Sequence, residues 1–188
     1  MEKIRRILIT GEPGIGKTTA IKKISEILES RNIKFKGIYT SEIREDGNRV
    51  GFNIINIKSG DTLTMASVAK EWKGPKVGKY TVNVDAVESV ALSALQPPTD
   101  YLTNIVYFID EIGKMELFSE KFKKAVQTLF SLDAENIRII ATVPSKRNIQ
   151  EVEEIRRSKH TTEIIVTRKN RGTIVDHVLH VLDETGVK

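Results

Sequence analysis

The 188-residue chain contains no cysteine. Disulfides and thiolate metal sites are therefore excluded, and a reducing cytoplasm is the expected compartment. Aromatic residues are scarce, at 6%, and they form no cluster of the kind on which nucleic-acid bases stack. No apolar run approaches the 18 or so residues needed to cross a bilayer, so no membrane association is expected. The short apolar stretch in "MEKIRRILITGEPG" enters a glycine loop instead of a small-residue cleavage site, which argues against a signal peptide. Repeats and low-complexity linkers are also missing. The length suggests one domain spanning residues 1–188, expected to be a monomer.

The net charge is +5, and +4 of it lies in residues 145–171, which hold eight Lys/Arg against four Asp/Glu. A basic flank of this kind either steers a polyanion toward a nearby site or is a solvated surface.

Strand and helix signals alternate along most of the chain. "RRILIT" reads as a buried strand that ends in a glycine turn. From Thr18, the apolar residues Ile21, Ile24, Ile27 and Leu28 recur at helical spacing. "FKGIYTSEIRE", "RVGFNIINI" and "TLTMASV" read as three strands joined by turns at "EDGN" and "SGD". "GPKVGKYTVN" reads as a loop, and Asp85 as the cap of a helix that "QPPTD" ends. A strand "NIVYFID", a helix around 118–131 and a strand "IRIIATV" follow. A helix around 148–158, a strand "EIIVT" and a helix from about 172 to 184 finish the chain. The expected class is α/β: a mostly parallel sheet with helices on both faces, extended at one edge by an antiparallel meander.

Two sites stand out. "GEPGIGKT" matches the phosphate-loop pattern G-x-x-x-x-G-K-[ST], between a strand and a helix as that pattern requires. Gly11, Gly14 and Gly16 let the backbone turn its N–H groups onto phosphate oxygens, and the helix start adds its positive end. Lys17 supplies a mobile ammonium, and the Thr18 hydroxyl a ligand for Mg²⁺. Glu12, Pro13, Ile15 and Thr19 complete the expected nucleotide-contacting segment. The alternative is a chance glycine turn.

The second site is "VYFIDEIG", residues Val106, Tyr107, Phe108, Ile109, Asp110, Glu111, Ile112 and Gly113. A phosphate loop needs a carboxylate at the end of another strand to position Mg²⁺, and Asp110 fits that need. Glu111 is then free to take a proton from the attacking water, unless it pairs with a lysine and orders the loop.

Taken together, "TGEPGIGKTT", "KGIYTSEIREDGNRVGF", "GPKVGKYTVNV", "FIDEIGKMELFS", "ATVP" and "VTRKNRG" resemble the THEP-type nucleoside-triphosphatases, small P-loop proteins, over nearly the whole chain. The resemblance implies a RecA-like P-loop sheet with one strand between the phosphate-loop strand and the strand ending in Asp110. It implies slow, Mg²⁺-dependent hydrolysis of ATP, GTP and other nucleoside triphosphates to the diphosphate and phosphate. Asp110 then serves the metal and Glu111 the water. Family members often read Asn-Arg-Asp where this chain has Asn170-Arg171-Gly172.

Weaker candidates remain open at this stage. Lys114 either neutralises phosphate charge or pairs with Glu111 or Glu116. Arg44 and Arg49 either reach phosphates or lace the "EDGN" hairpin. Lys76, Lys79 and Tyr80 sit in a glycine-hinged segment able to close on a nucleotide, with Tyr80 as a stacking surface. Thr142 either senses the γ-phosphate or caps its strand. Asn170 and Arg171 either receive the base or, for Asn170, cap the last helix. Trp72 reads as packing, and His177 and His180 as surface residues with no third ligand. The Asn-Lys-x-Asp pattern of guanine readers is absent. Two rival functions use the same loop. One is a nucleotide or polynucleotide kinase with the basic stretch as lid. The other is a nucleotide-switched nucleic-acid-binding protein.

Overall fold

The computed structural model describes residues 3–69, 72–99 and 103–186. Among these residues, fifteen elements follow one another. They are β1 (Arg6–Gly11), α1 (Lys17–Ser30), β2 (Phe35–Glu45), β3 (Asn48–Asn56), β4 (Thr62–Ser67), β5 (Lys76–Val77), β6 (Tyr80–Val82) and α2 (Val84–Ala94). After these come β7 (Ile105–Ile109), a 3₁₀ turn (Glu116–Phe118), α3 (Glu120–Ser131), β8 (Ile137–Thr142), α4 (Gln150–Arg156), β9 (Thr161–Val166) and α5 (Ile174–Glu184).

The strands form one sheet in the order β5-β6-β4-β3-β2-β7-β8-β1-β9. Strands β2, β7, β8, β1 and β9 run parallel, and β8 lies between β1 and β7. The P-loop NTPase fold expected from the resemblance is the fold observed. The antiparallel part is larger than expected. "GPKVGKYTVN" is no loop: it forms the hairpin β5–β6, and β6 pairs with β4.

Side-chain alternation splits the core in two. Leu8, Tyr107, Ile109, Ile139 and Ala141 point to one face, under α2, α3 and α4. Ile7, Ile9, Val106, Phe108 and Ile140 point to the other, under α1 and α5. Strands buried on both faces are what uninterrupted Ile/Val/Leu runs encode. Helix α1 buries Ala20, Ile21, Ile24 and Leu28 on one stripe. It stops where Asn32 turns to φ +60°: the Asn32 N–H reaches Glu29 O and the Ile33 N–H reaches Leu28 O, which satisfies the last carbonyls. Asn83, and not Asp85, caps α2; its Oδ1 accepts from Ala86 N at 3.1 Å, and Asp85 sits within the first turn. Ser119 caps α3 by accepting from Phe122 N at 3.0 Å.

Strand β2 links the two kinds of sheet. Residues 35–38 pair in parallel with β7, while residues 38–45 pair antiparallel with β3. Gly37 lies in the parallel part, just before this switch, with φ +140°, and an added Cβ would fall 1.9 Å from the carbonyl oxygen of Phe108. Substitution there combines backbone strain with a clash against main chain. Gly37→Ala is expected to lower stability by about 2–4 kcal/mol. In a thermal melt this is a drop of roughly 4–16 °C; an unchanged midpoint would refute the close approach.

Candidate nucleotide site

The carboxyl ends of β1, β7, β8 and the parallel part of β2 meet at one edge of the sheet, the usual place for a ligand in an open α/β fold. Residues 12–16 loop out of β1 and deliver the chain into α1. Gly14 and Gly16 have φ +75° and +113°, and an added Cβ at either meets nothing within 4 Å. Glycine is required there by the sign of the backbone angle, and the side it leaves bare is open. Within this segment the Ile15 N–H bonds to Glu12 O at 3.2 Å. The N–H groups of Gly14, Gly16, Lys17 and Thr18 donate to no protein group among the described residues. Together they form a nest of donors at a helix start, suited to an anion. Lys17 arches over this nest, its Nζ 2.9 Å from Gly11 O and 3.2 Å from Glu12 O. Glu12, Pro13 and Thr19 are exposed, and Ile15 packs against the α1/α5 core.

Asp110 is 1% exposed at the end of β7. Thr142, at the end of β8, donates to its Oδ1 at 2.6 Å. Thr40 N and Oγ1 approach its Oδ2 at 3.4 and 3.5 Å, and Thr18 adds a side-chain hydrogen bond. Even so, burial pushes the Asp110 carboxyl above the usual carboxylate range, with these hydrogen bonds and the Lys17 ammonium opposing that shift. Among the described residues it has no ion pair. A buried carboxylate without a cation is costly, and Asp110 and Thr18 both offer hard oxygen to a Mg²⁺ ion. Among the described residues no three His, Cys, Asp or Glu side chains converge on one point. The donor set therefore fits an ion that takes its remaining ligands from water and phosphate, as Mg²⁺ does.

Glu111 follows through a cis peptide bond and is half-buried. Burial raises its pKa first, the Lys17 ammonium lowers it, and Asp110 raises it again. In contrast to Asp110, its carboxylate makes no hydrogen bond to protein among the described residues. Ile112 turns back into the core and donates its N–H to Thr142 O at 2.9 Å. Gly113 donates its N–H to Glu116 Oε2 at 3.1 Å.

The remaining candidates divide cleanly. Val106, Tyr107, Phe108 and Ile109 are fully buried in the two cores, so their part is to carry Asp110; as side chains that touch a nucleotide they are corrected. Thr142 holds Asp110. Lys114 is exposed and pairs with neither Glu111 nor Glu116. Arg44 and Arg49 both grip Glu42, so they lace the hairpin. Tyr80 is no stacking surface: it is 8% exposed, packs edge-on against Phe52, and accepts from Arg49 Nε at 3.1 Å. Thr173, and not Asn170, starts the last helix. Asn170 closes the turn after β9 by accepting from Thr167 N at 2.7 Å and donating to Ile165 O at 2.8 Å. Because Gly11 pairs with Val166, this turn and exposed Arg171 share the phosphate loop's edge of the sheet. In the basic stretch, Arg147 and Arg156 are both joined to Glu153 and Glu163, which removes two cations from any lid. Thr40 and Glu116 are the residues whose roles the sequence reading missed. No local pattern marks Thr40, which lies within β2, two residues past the part that pairs in parallel with β7.

Comparison with known proteins agrees with this geometry. A family model described as NTPase matches residues 6–179. The mouse cancer-related nucleoside-triphosphatase homolog is 35% identical, with 96% of this chain and 98% of that protein covered. The crystal structure of THEP1 from the hyperthermophile Aquifex aeolicus superposes with a TM-score of 0.80 at 37% identity, covering 94% of this chain and 98% of the other. The solution structure of a human cancer-related nucleoside triphosphatase gives a TM-score of 0.81 at 34% identity, covering 96% and 98%.

Proposed function

The chain belongs to the NTPase family matched over residues 6–179, and we propose that it hydrolyses nucleoside 5'-triphosphates to the diphosphate and phosphate, with Mg²⁺ and with little preference for the base. The relatives are named nucleoside-triphosphatases, and this chain carries the phosphate loop, the buried acid and the neighbouring glutamate that such a reaction needs. The supporting observation is the contrast between the two acids. Both Asp110 oxygens are engaged by threonines, whereas Glu111 keeps its carboxylate unbonded beside Lys17.

The loop N–H groups and Lys17 hold the β- and γ-phosphates and balance charge as the bridging bond breaks. Thr18 and Asp110 are the residues that would hold Mg²⁺. When bound, the ion neutralises phosphate charge and orients the nucleotide. Glu111 accepts a proton from the water that attacks the terminal phosphorus. The turn at Asn170 and Arg171 offers the base a polar but open edge, which suits several bases because, among the described residues there, no buried group is matched to one of them.

Phosphate release from ATP, GTP, CTP and UTP tests this reading. Release from all four is expected within about a hundredfold of one another, and chelation of divalent ions should abolish it. A larger preference would require the roughly 2.7 kcal/mol that only specific base contacts supply. Transfer to an added nucleoside or polynucleotide end in excess of release to water would make the protein a kinase instead. Glu111 must be ionised to act, and its pKa is raised. The acid limb of the rate profile is therefore expected above the usual glutamate range near pH 4.3.

A further inference from the structure

Glu116 is a carboxylic acid that no step above uses, and it is 5% exposed inside the 3₁₀ turn. Its Oε2 accepts from Gly113 N at 3.1 Å. A Cβ built on Gly113 would lie 3.0 Å from Glu116 Oε2 and 3.4 Å from Glu111 Cγ and Cδ. The two glutamate side chains thus crowd the same position beside the Gly113 α-carbon. The turn is closed again by Leu117 N donating to Gly113 O at 3.0 Å. We propose that Glu116 is a positioning residue, whose buried carboxyl group clamps the Gly113 end of the Asp110–Gly113 turn and so holds Glu111 at the attacking water. The proposal rests on the reading of Glu111 as the water-activating base.

The surroundings explain how an acid does this without spoiling the site. The charged groups facing Glu116 are Glu111 and, more weakly, Asp110, both negative. The helices packed on the 3₁₀ turn are α2 and α3. On α2, Glu88 is engaged by Ser119 and Lys121. On α3, Lys123 pairs with Glu120 and with Glu151 of α4. Neither helix sends a cation to Glu116. Burial, then Glu111, push its pKa up to about 8. At neutral pH it is a neutral acid that accepts the Gly113 N–H without adding a third negative charge next to the triphosphate. Above about pH 8 it ionises, repels Glu111 and loosens the turn.

The experiment compares the wild type, Glu116→Gln, Glu116→Ala and Glu111→Gln in kcat, KM and nucleotide-free melting from pH 5 to 9.5. The glutamine variant, neutral and of the same shape, should keep kcat at pH 7 within about threefold and lose the fall in rate above pH 8 seen in wild type. The alanine variant should lose at least about tenfold in kcat with KM within twofold. Unfolded Glu116 ionises near pH 4.5 while the folded group holds its proton to about 8. Wild-type stability should therefore fall with pH across that window relative to Glu116→Gln, and run parallel above it. Equal losses in the glutamine and alanine variants, an alkaline limb that survives in Glu116→Gln, or parallel melting across the window would overturn the proposal. Normal hydrolysis by Glu111→Gln would instead overturn the reading of Glu111, and the melting comparison would still report on the clamp.

Discussion

Glu111→Gln is expected to lower kcat by about two to four orders of magnitude, the range a general base supplies, with nucleotide binding unchanged. Glutamine keeps the shape of the side chain, and the wild-type carboxylate has no hydrogen bond to protein that the change would break among the described residues. The phosphate loop, Thr18 and Asp110 are untouched. What disappears is the ability to take a proton. Single-turnover phosphate release, set beside the dissociation constant of a fluorescent nucleotide triphosphate, separates the two effects. Binding that falls in step with turnover would make Glu111 a structural or metal-holding residue.

Lys17→Ala is expected to lower kcat/KM by at least about two to three orders of magnitude, as loss of one focused electrostatic contact does elsewhere. Here the loss is in binding and in chemistry together. The ammonium sits over the donor nest, 2.9 Å from Gly11 O. It also opposes the rise in pKa of both Asp110 and Glu111. Without it both acids hold their protons to higher pH, so the residual activity should show an acid limb displaced upward. The fold should persist, since Lys17 is outside both cores. A variant that melts normally and turns over at the wild-type rate would remove the loop from the active site.

The phosphate loop and the Asp110–Glu111 pair are legible because each is a local pattern with a chemical reason for every position. The parallel strands are legible for a similar reason: strands buried on both faces are written as unbroken apolar runs, as in "RILITG" and "IVYFI". The grip on Asp110 is harder to read. It depends on β2 and β8 flanking β7, and nothing near Thr40 or Thr142 in the chain announces that register. The hairpin at 76–82 was hidden by its glycines and by strands of two and three residues. The cap of α2 was misread because two competent side chains compete. Asn83 and Asp85 are both good caps, and small differences in where the backbone turns decide between them.

The placement of β1 in the sheet bears on how the protein is made. Its two neighbours come late in the chain: Arg6 stands beside Ile139 of β8 and Thr161 of β9. A ribosome releases β1 and its loop first, yet both flanking strands emerge only with the last third of the polypeptide. The β2–β3–β4 meander, with its short connections, is able to form long before that. During synthesis the glycine loop is therefore a flexible tether with no rigid frame behind it. The triphosphate binding proposed for this loop would then wait for β8 and β9, the two strands that flank β1.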